Sequence, residues 1–507
     1  MSGMAGDWGG GYVTDIGYMP GWYSQQSPMH LAVTCLLMGV ACDLPAGDEP
    51  VHYLELGCGL GFGALALAAA NPSWRVTGVD FNPAHVAFAR GAARDAGLDN
   101  VVFLEADLSV LAEQEEARQI PQADFVSLHG VWSWVPAPVR AGIVRLLRAK
   151  VAPGGIVHIS YNSLPGWQPA LGMQRTLRLA GEAAPGRSDR RALAGVALLR
   201  DLIAAEAVHL AGTPFARRMA ERLESLPPEY LAHEYMNACW APCFHADVMA
   251  DLAAAKLDWI GSATLPENFP ELMLTEPQRA IYNRCEDMRL RELVKDMCLH
   301  RGLRHDVFVR GVQRLDPAVR DAALGDLVLA LATPVDSVEY QVEVASGTAS
   351  LSPAFYGPMI AAMAQTPRRV ADLLALPGIE GRRDNLREVV GILVGIGHGL
   401  PLLRPGLPPQ PAALRFNRMA ANWLVRPENM TKPLALAAAS VGGGFPATLL
   451  DLFVHARLQS GEDEGTLASW VAALGPRMDE EDRSRLHAVL SRSLTLRLPL
   501  MRAAGVW

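Results

Sequence analysis

The 507-residue chain lacks features that would point to several classes of protein. Lysine and arginine together number 45 against 53 aspartates and glutamates, so the formal net charge is −8. No general basic excess is available to neutralise phosphates, which argues against a protein built mainly to bind nucleic acid. The seven cysteines are scattered and odd in number, which indicates reduced thiols and a cytoplasmic location rather than a disulfide framework.

Signals for a membrane-spanning segment are also missing. The apolar run LAVTCLLMGVAC at 31–42 is too short to cross a bilayer and has no basic flank of the kind that precedes a signal segment. We therefore expect a buried helix there and no stable membrane insertion. Half of the residues are hydrophobic and 19% are charged, as in an ordinary globular protein. A chain of this length predicts about two to four domains.

Short apolar runs alternate with helical periods between residues 51 and 160. This alternation predicts an α/β fold, with a parallel sheet and helices on both faces. The predicted strands cover 51–56, 75–79, 101–105, 123–128 and 155–160, and the predicted helices cover 28–40, 62–70, 83–96, 109–117 and 136–150. Residues 170 to about 310 are predicted to be mostly helical, and a strand-like SVEYQVEV at 337–344 opens the last part of the chain.

The stretch LELGCGLGFGALALAAA predicts a strand, a tight glycine turn and a helix. Gly57, Gly59 and Gly61 permit a sharp turn and leave no side chain between the backbone and a ligand. The N-terminus of the helix then offers free N–H groups to a negative group. Residues 59–64 also fit the dinucleotide pattern G-x-G-x-x-A, so the loop alone does not choose among nucleotide cofactors.

Acidic residues around this loop indicate which cofactor it binds. Glu55 precedes the first glycine by two residues, where a carboxylate suits a cationic sulfonium–amino-acid ligand better than a pyrophosphate. Asp80 ends the second strand and can bind two ribose hydroxyls, and Phe81 can lie on an adenine face. Asp107 follows the third strand, where an adenine amino group can be held. This order favours S-adenosylmethionine over a nicotinamide cofactor or a purely structural set of turn residues.

At this point a family resemblance is visible. Residues 51–160 resemble a class I S-adenosylmethionine-dependent methyltransferase. The stretches YVTDIGYMPGWYSQQSP, ADFVSLHGVWSWV, HEYMNACWAPCFHADV and LHRGLRHDVFVRG resemble bacterial, rickettsial-type protein lysine methyltransferases that carry a methyltransferase regulatory domain. That family is best known for modifying outer-membrane proteins. The resemblance implies a Rossmann-like methyltransferase sheet, a mainly helical middle domain and a C-terminal α+β domain often described as winged-helix-like.

The resemblance and the patterns together predict four parts of the chain. They are an N-terminal aromatic lid segment and helix (1–45), an S-adenosylmethionine-binding methyltransferase domain (46–180), a helical regulatory domain (181–320) and a C-terminal domain (321–507). The residues predicted to bind the cofactor are Tyr18, Glu55, Gly57, Cys58, Gly59, Gly61, Asp80, Phe81, Asp107, Leu108 and His129.

The end of the fourth strand, FVSLHGVWSWVP, is the predicted acceptor side of the site. His129, Trp132 and Trp134 are the predicted catalytic residues, and Tyr161 and Trp167 are further candidates for an aromatic slot. Deprotonating a lysine amine of pKa ~10.4 at pH 7 costs about 4–5 kcal/mol. An apolar aromatic slot beside a sulfonium favours the neutral amine, and its rings favour the methylammonium product. His129 is a candidate to orient the acceptor or to carry its proton.

Two other clusters have a weaker case for function. His233, Cys239, Cys243 and His245 do not have the spacing of a familiar zinc knuckle, so we interpret them as structural and predict no metal. The basic amphipathic run at 486–503 is predicted to pack within its own domain rather than on a membrane.

The sequence thus predicts a methyltransferase that modifies a protein, with lysine amines as the acceptor. The predicted partner is a protein substrate, which the resemblance suggests is an outer-membrane protein before export, with no nucleic acid and with a homodimer left open. Two alternatives stay open: a methyltransferase of small molecules or natural products, and a non-catalytic protein that binds S-adenosylmethionine.

Overall fold

The computed structural model describes residues 9–17, 20–42, 49–211, 214–344, 347–381, 383–425, 432–474 and 478–507. Tyr18 of the predicted cofactor site lies outside these residues. Among the helices of the described residues, none combines the length and the apolar character needed to cross a bilayer.

A seven-stranded sheet forms the centre of the first 310 residues. Its strands are β1 (His52–Leu56), β2 (Arg75–Asp80), β3 (Val101–Glu105), β4 (Ala123–Leu128), β5 (Val151–Asn162), β6 (Leu257–Ser262) and β7 (Leu303–Arg310). Their order across the sheet is β3-β2-β1-β4-β5-β7-β6. The first five strands run parallel, whereas β7 is antiparallel to both β5 and β6. The loops after β1 to β4 therefore meet at one edge of the sheet, where ligands bind in open α/β folds.

Thirteen helices of the described residues accompany this sheet. They are α1 (Pro28–Leu37), α2 (Phe62–Ala70), α3 (Pro83–Asp95), α4 (Ala137–Lys150), α5 (Leu171–Ala183), α6 (Ser188–Ala204), α7 (Val208–Ala211), α8 (Pro214–Ser225), α9 (Pro228–Tyr235), α10 (His245–Ala253), α11 (Pro270–Met273), α12 (Glu276–Arg284) and α13 (Met288–Cys298). Helices α5 to α10 form an insertion between β5 and β6. The chain then returns to the sheet, where β7 of the predicted regulatory domain pairs with β5 of the predicted methyltransferase domain and β6 pairs with β7 at the edge.

The rest of the chain is mixed α and β. Its elements are α14 (Pro317–Asp326), β8 (Val328–Leu331), β9 (Gln341–Val344), β10 (Gly347–Ser350), α15 (Pro353–Gln365), β11 (Arg368–Arg369), α16 (Val370–Leu374), α17 (Leu386–Gly395), β12 (Gly399–Leu402), α18 (Pro411–Leu424), β13 (Leu434–Ala438), β14 (Gly443–Ala447), α19 (Leu449–Gln459), α20 (Leu467–Leu474), α21 (Glu480–Arg492) and α22 (Leu498–Ala503). Strands β11, β8 and β12 form one antiparallel sheet, and β9–β10 and β13–β14 are hairpins. These elements and the central sheet confirm the predicted fold class.

The C-terminal part packs directly on the helix that follows the glycine loop. Helix α2 consists of apolar residues and glycine, and all but Gly63 are buried. One side faces the sheet, and the other is covered by α18 and β13, with the rings of Phe62 and Phe416 5.7 Å apart. A helix that is apolar all round is stable in water only when it is covered on all sides. The composition of α2 is therefore explained by this second layer.

One predicted element between residues 28 and 160 is wrong. In place of a helix at 109–117 the structure has two short 3₁₀ segments, Leu111–Glu113 and Glu115–Gln119. Only Leu111 and Ala117 are buried in these segments. This glutamate-rich run therefore lacks the apolar stripe that would hold a longer helix against the sheet.

A buried ionic cluster attaches β7 to the helices beside it. The guanidinium of Arg304 donates to Glu292 Oε2 at 2.8 Å and to Asp296 Oδ2 at 2.7 Å, and its Nε lies 3.1 Å from Asp306 Oδ2. The side chains of all four residues are at most 2% exposed. Burial raises the free energy of the charged carboxylates, but Arg304 and His245 hold the pKa of Asp306 well below its usual range.

We expect Arg304→Met to lower the free energy of unfolding by about 3–5 kcal/mol, because it leaves three buried carboxylates without their shared cation. Denaturant unfolding of the full chain measures this change. The matched control is Arg485→Met, whose ion pair with Glu481 is about 70% exposed and which should change stability by less than ~1 kcal/mol. Equal effects of the two substitutions would contradict a structural role for the cluster.

Candidate functional site

A cavity of about 600 Å³ lies where the ends of β1 to β4 meet the N-terminal segment, which we define as the described residues 9–17 and 20–27. The predicted cofactor residues in its wall are Glu55, Gly57, Cys58, Gly59, Asp80, Phe81, Asp107, Leu108 and His129. Gly61 is not in this wall; it lies behind the glycine loop, where it packs against Phe103.

Three glycines give the loop its shape. Gly57, Gly59 and Gly61 have φ values of 73°, 54° and 76°, a left-handed conformation that side chains disfavour. A Cβ on Gly57 would come within 2.3 Å of Val131 Cγ2, and a Cβ on Gly61 would come within 2.7 Å of the Phe103 ring. Gly61 therefore allows close packing behind the loop, whereas Gly57 and Gly59 face the cavity.

Glu55 is a buried carboxylate in the cavity wall. Its Oε1 accepts a hydrogen bond from Gln26 Nε2 at 3.2 Å, and its Oε2 makes no hydrogen bond of normal geometry within the described residues. Burial raises the pKa of Glu55 to about 7, against the opposing effects of Gln26 and the nearby backbone of Ala64. A cation placed against Oε2 would stabilise the charged carboxylate form of Glu55. The wall is thus suited to a positively charged ligand at this point.

Asp80 joins the end of β2 to the glycine loop. Its Oδ2 accepts from the N–H of Gly59 at 2.8 Å, and its Oδ1 accepts from the N–H of Asn82 at 2.9 Å. Beside it, the Phe81 ring is partly exposed to the cavity and meets the Tyr12 ring edge-on at 5.7 Å. At the end of β3, Asp107 accepts from the N–H of Ser109 at 2.8 Å. Two carboxylates and an aromatic face therefore line the part of the cavity that was predicted to hold a nucleoside.

His129 occupies the acceptor side of the cavity. Its ring stacks on that of Tyr23, with centroids 3.9 Å apart, and its Nδ1 lies 3.2 Å from Ser160 Oγ. Burial, with a contribution from His305, lowers the pKa of His129 to about 3. A ring that is neutral at physiological pH and held between two partners is suited to orienting an acceptor rather than to carrying its proton.

The two tryptophans after β4 point in different directions. They lie in a 3₁₀ turn, Trp132–Trp134, in which residues two apart are rotated by about two thirds of a turn. Trp134 lines the cavity, whereas Trp132 is fully buried in the core, with Arg140 5.6 Å from its ring centroid. The prediction that Trp132 contacts the acceptor is therefore not supported by its position.

The other aromatic candidates also lie away from the cavity wall. Tyr161 is buried and donates its hydroxyl hydrogen bond to Asp306, and Trp167 donates from Nε1 to the carbonyl of Gly302 at 2.6 Å. Tyr12 and Tyr23 of the N-terminal segment do line the cavity, as the lid hypothesis expects. The aromatic wall is thus supplied mainly by the N-terminal segment and Trp134.

The sequence analysis missed Gln26, which has the most direct contact with Glu55. Its Nε2 also lies 3.1 Å from Ser127 Oγ, so one amide bridges β1 and β4. No local sequence pattern distinguishes this glutamine.

Trp22, four residues before Gln26, is held in place by the C-terminal part of the chain. The backbone N–H of Trp22 donates to the carbonyl of Pro433 at 2.7 Å. A Cβ on Gly444 would come within 2.7 Å of the indole.

Three of the four residues of the loose cysteine and histidine cluster, His233, Cys243 and His245, have separate partners. His233 Nε2 lies 3.2 Å from the carbonyl of Gly17, and His245 Nδ1 lies 2.9 Å from Asp306 Oδ2. Cys243 accepts from Arg140 Nη1 at 3.3 Å. These contacts agree with the structural interpretation of this cluster.

Comparison with known proteins gives two matching family models. One, described as a methyltransferase domain, covers residues 54–157, and the other, a predicted methyltransferase regulatory domain, covers residues 227–310. An uncharacterized protein of Synechocystis sp. is 31% identical over 395 residues, which is 78% of this chain and 77% of that protein. An uncharacterized protein of Rickettsia prowazekii is 30% identical over 228 residues, which is 44% of this chain and 86% of that protein.

Among solved structures, PKMT2 from Rickettsia typhi in complex with AdoHcy has the same fold. The TM-score is 0.71 at 16% identity, covering 96% of this chain and 100% of that one. These matches confirm the predicted resemblance and the predicted cofactor, S-adenosylmethionine. The glycine loop, the ordered acids and the seven-stranded sheet thus place this chain in the family of class I S-adenosylmethionine-dependent methyltransferases with a methyltransferase regulatory domain.

Proposed function

We propose that this methyltransferase modifies lysine side-chain amines of a protein. The observation that carries the proposal is the aromatic and neutral wall formed by Tyr23, His129 and Trp134 on the acceptor side of the cavity. A lysine must lose its proton before it can attack, and an uncharged aromatic wall penalises the ammonium form by desolvation. The methylammonium product keeps favourable contacts with the same rings.

The cofactor fits the opposite side of the cavity. S-adenosylmethionine supplies a methyl group on a positively charged sulfonium sulfur. Glu55, with its free Oε2, would hold the cationic amino-acid end, and Gly57 and Gly59 leave room for the backbone to approach it. Asp80 would bind the ribose hydroxyls, and Phe81 would lie against the adenine. Holding donor and acceptor in line and excluding water is the main catalytic task of such a site.

A second buried carboxylate, that of Glu234, influences the tyrosines of the aromatic wall through its charge. Glu234 lies in α9, and burial raises its pKa to about 7. The ring of the preceding residue, His233, lies 6.4 Å from the ring of Tyr12, which brings this part of α9 near the aromatic wall. After burial and, for Tyr12, the charge of Asp80, the negative charge of Glu234 contributes to the raised pKa of Tyr12 and Tyr23. A base with a pKa near the working pH is the best compromise for removing a proton. We infer that Glu234 attracts the ammonium group of the acceptor and takes its proton.

The likeness to PKMT2 from Rickettsia typhi also supports a protein acceptor, although at 16% identity it is a likeness of fold. The insertion α5–α10 and the C-terminal part extend well beyond what a pocket for a small metabolite requires. We propose that the enzyme acts in the cytoplasm on a protein such as an outer-membrane protein before export, as a monomer or a homodimer. The rival function is methylation of a small molecule.

A labelling experiment tests the acceptor class. The full chain is incubated with a methyl-labelled donor and bacterial lysate separated into protein and small-molecule fractions. We expect label on lysines of the protein fraction, mapped by mass spectrometry, and none with the Asp80→Ala variant as the donor-binding control. Label confined to the small-molecule fraction would refute the proposal.

We expect Glu234→Gln to lower kcat by about 10²-fold, because the amide cannot accept a proton, while calorimetric donor affinity stays unchanged. In this variant, kcat should also no longer rise as the pH increases through neutrality. Glu229→Gln, an exposed residue of the same helix, is the matched control and should retain activity. Equal turnover of the two variants would show that Glu234 has no role in proton removal.

The raised pKa of Glu55 predicts that donor affinity depends on pH. A cationic ligand binds the carboxylate form and lowers its pKa, so binding releases a proton wherever the free enzyme is protonated. Affinity should therefore fall about tenfold per pH unit below about pH 7 and level off above it. Calorimetry on wild type and Glu55→Gln measures this. A wild-type affinity that does not change with pH would contradict the assignment, and the variant should bind weakly and without this pH dependence.

A further inference from the structure

Three imidazoles from neighbouring strands meet behind the acceptor side of the cavity. His129 follows β4, His158 lies in β5 and His305 lies in β7. One ring nitrogen of each lies within 4.8 Å of those of the other two. His158 Nε2 and His305 Nδ1 are 3.1 Å apart, and the ring centroids of His129 and His305 are 5.5 Å apart. We call this group the histidine trio.

The trio is held in the form that binds metal ions. Burial lowers the pKa of His129 to about 3 and of His305 to about 4, and it lowers the pKa of His158 well below the usual range. After burial, His305 also lowers the pKa of His129 and of His158, and His129 lowers that of His158, whereas Asp306 raises the pKa of His158 and His305. Burial thus favours the neutral imidazole, the form that binds metal ions, at a place where the ring nitrogens already converge.

Hydroxyl groups fix the orientation of two of the rings. Ser160 Oγ lies 3.2 Å from His129 Nδ1, and Ser127 Oγ lies 3.0 Å from His158 Nδ1. The Ser127 hydroxyl is itself fixed by the Gln26 amide at 3.1 Å. Outer partners of this kind orient metal-binding histidines and set which nitrogen is free for the ion. For His158 they leave Nε2, the atom that faces His305.

The spacing also fits a shared ion. Two imidazole nitrogens at about 2.1 Å from an ion, with tetrahedral or trigonal angles between them, lie about 3.4–3.6 Å apart. The 3.1 Å contact between His158 and His305 and the 4.8 Å limit for the whole trio lie on either side of that value. To share an ion, the His158 and His305 nitrogens must separate by a few tenths of an ångström, and the widest pair of the trio must approach by up to about 1.3 Å.

We propose that His129, His158 and His305 bind one divalent ion of the first transition series, of the class that prefers imidazole ligands, with Zn²⁺ as the reference ion. Three protein ligands leave a coordination position open. Because His129 also lines the cavity, an ion held by the trio would lie next to the acceptor side of the site. The inference goes beyond the proposed function and does not depend on which acceptor the enzyme uses.

Metal binding by the purified full chain tests the proposal without donor or acceptor, so its result is separate from the labelling experiment. After treatment with a chelator, the protein is titrated with Zn²⁺ by calorimetry and with Co²⁺ by visible absorption. We expect one equivalent to bind, with the Co²⁺ absorption bands of a site of low coordination number. His158→Gln and His305→Gln should each weaken binding by more than about tenfold, and the double variant should not bind.

The matched control is His455→Gln, which removes another buried imidazole, in α19. It should bind the ion as wild type does. Calorimetric donor binding by the trio variants shows that they are folded. A wild type that binds no ion, or that binds equally well after the double substitution, would overturn the proposal. In the second case the ion is held elsewhere, and in both cases the trio is a set of hydrogen-bonded core histidines.

Discussion

The contact between Gln26 and Glu55 connects the parts of this enzyme that must act together. Glu55 is buried at the end of β1, and one of its oxygens is held by an amide from the N-terminal segment. The same amide reaches Ser127 on β4, which in turn contacts His158 on β5. The other carboxylate oxygen makes no hydrogen bond of normal geometry within the described residues, and we propose that it faces the donor. Because a buried charge requires compensation, a donor bound there would stabilise from a second side the same carboxylate that the N-terminal segment already contacts.

The position of the N-terminal segment depends on the far end of the chain. Trp22 is packed against the β13–β14 hairpin, where Gly443 and Gly444 leave room for its indole. The following residue, Tyr23, is the one that stacks on His129. The C-terminal part also covers α2, the helix behind the glycine loop. It therefore supports both walls of the cavity, although none of its described residues lines that cavity.

The last two strands of the sheet bring the insertion to the acceptor side. The buried cation of Arg304 attaches β7 to α13, and Asp306 beside it accepts from Tyr161 of β5. This fixed frame brings His305 against His158. Residues more than 100 positions apart in the chain thus meet at one edge of the sheet. The chemistry proposed here depends on that frame more than on any single loop.

What the sequence determined by itself was local: the alternation of strands and helices, the glycine turn, and the acids that end β1 and β2. These follow from periodicity and from the backbone freedom of glycine, which depend on near neighbours. Tertiary structure alone decided that Trp134 and not Trp132 faces the cavity, and that residues 109–117 have too little apolar surface for a helix. It also decided the contacts of Gln26 and the meeting of the three histidines, because burial and pairing across strands are set by residues far away in the chain.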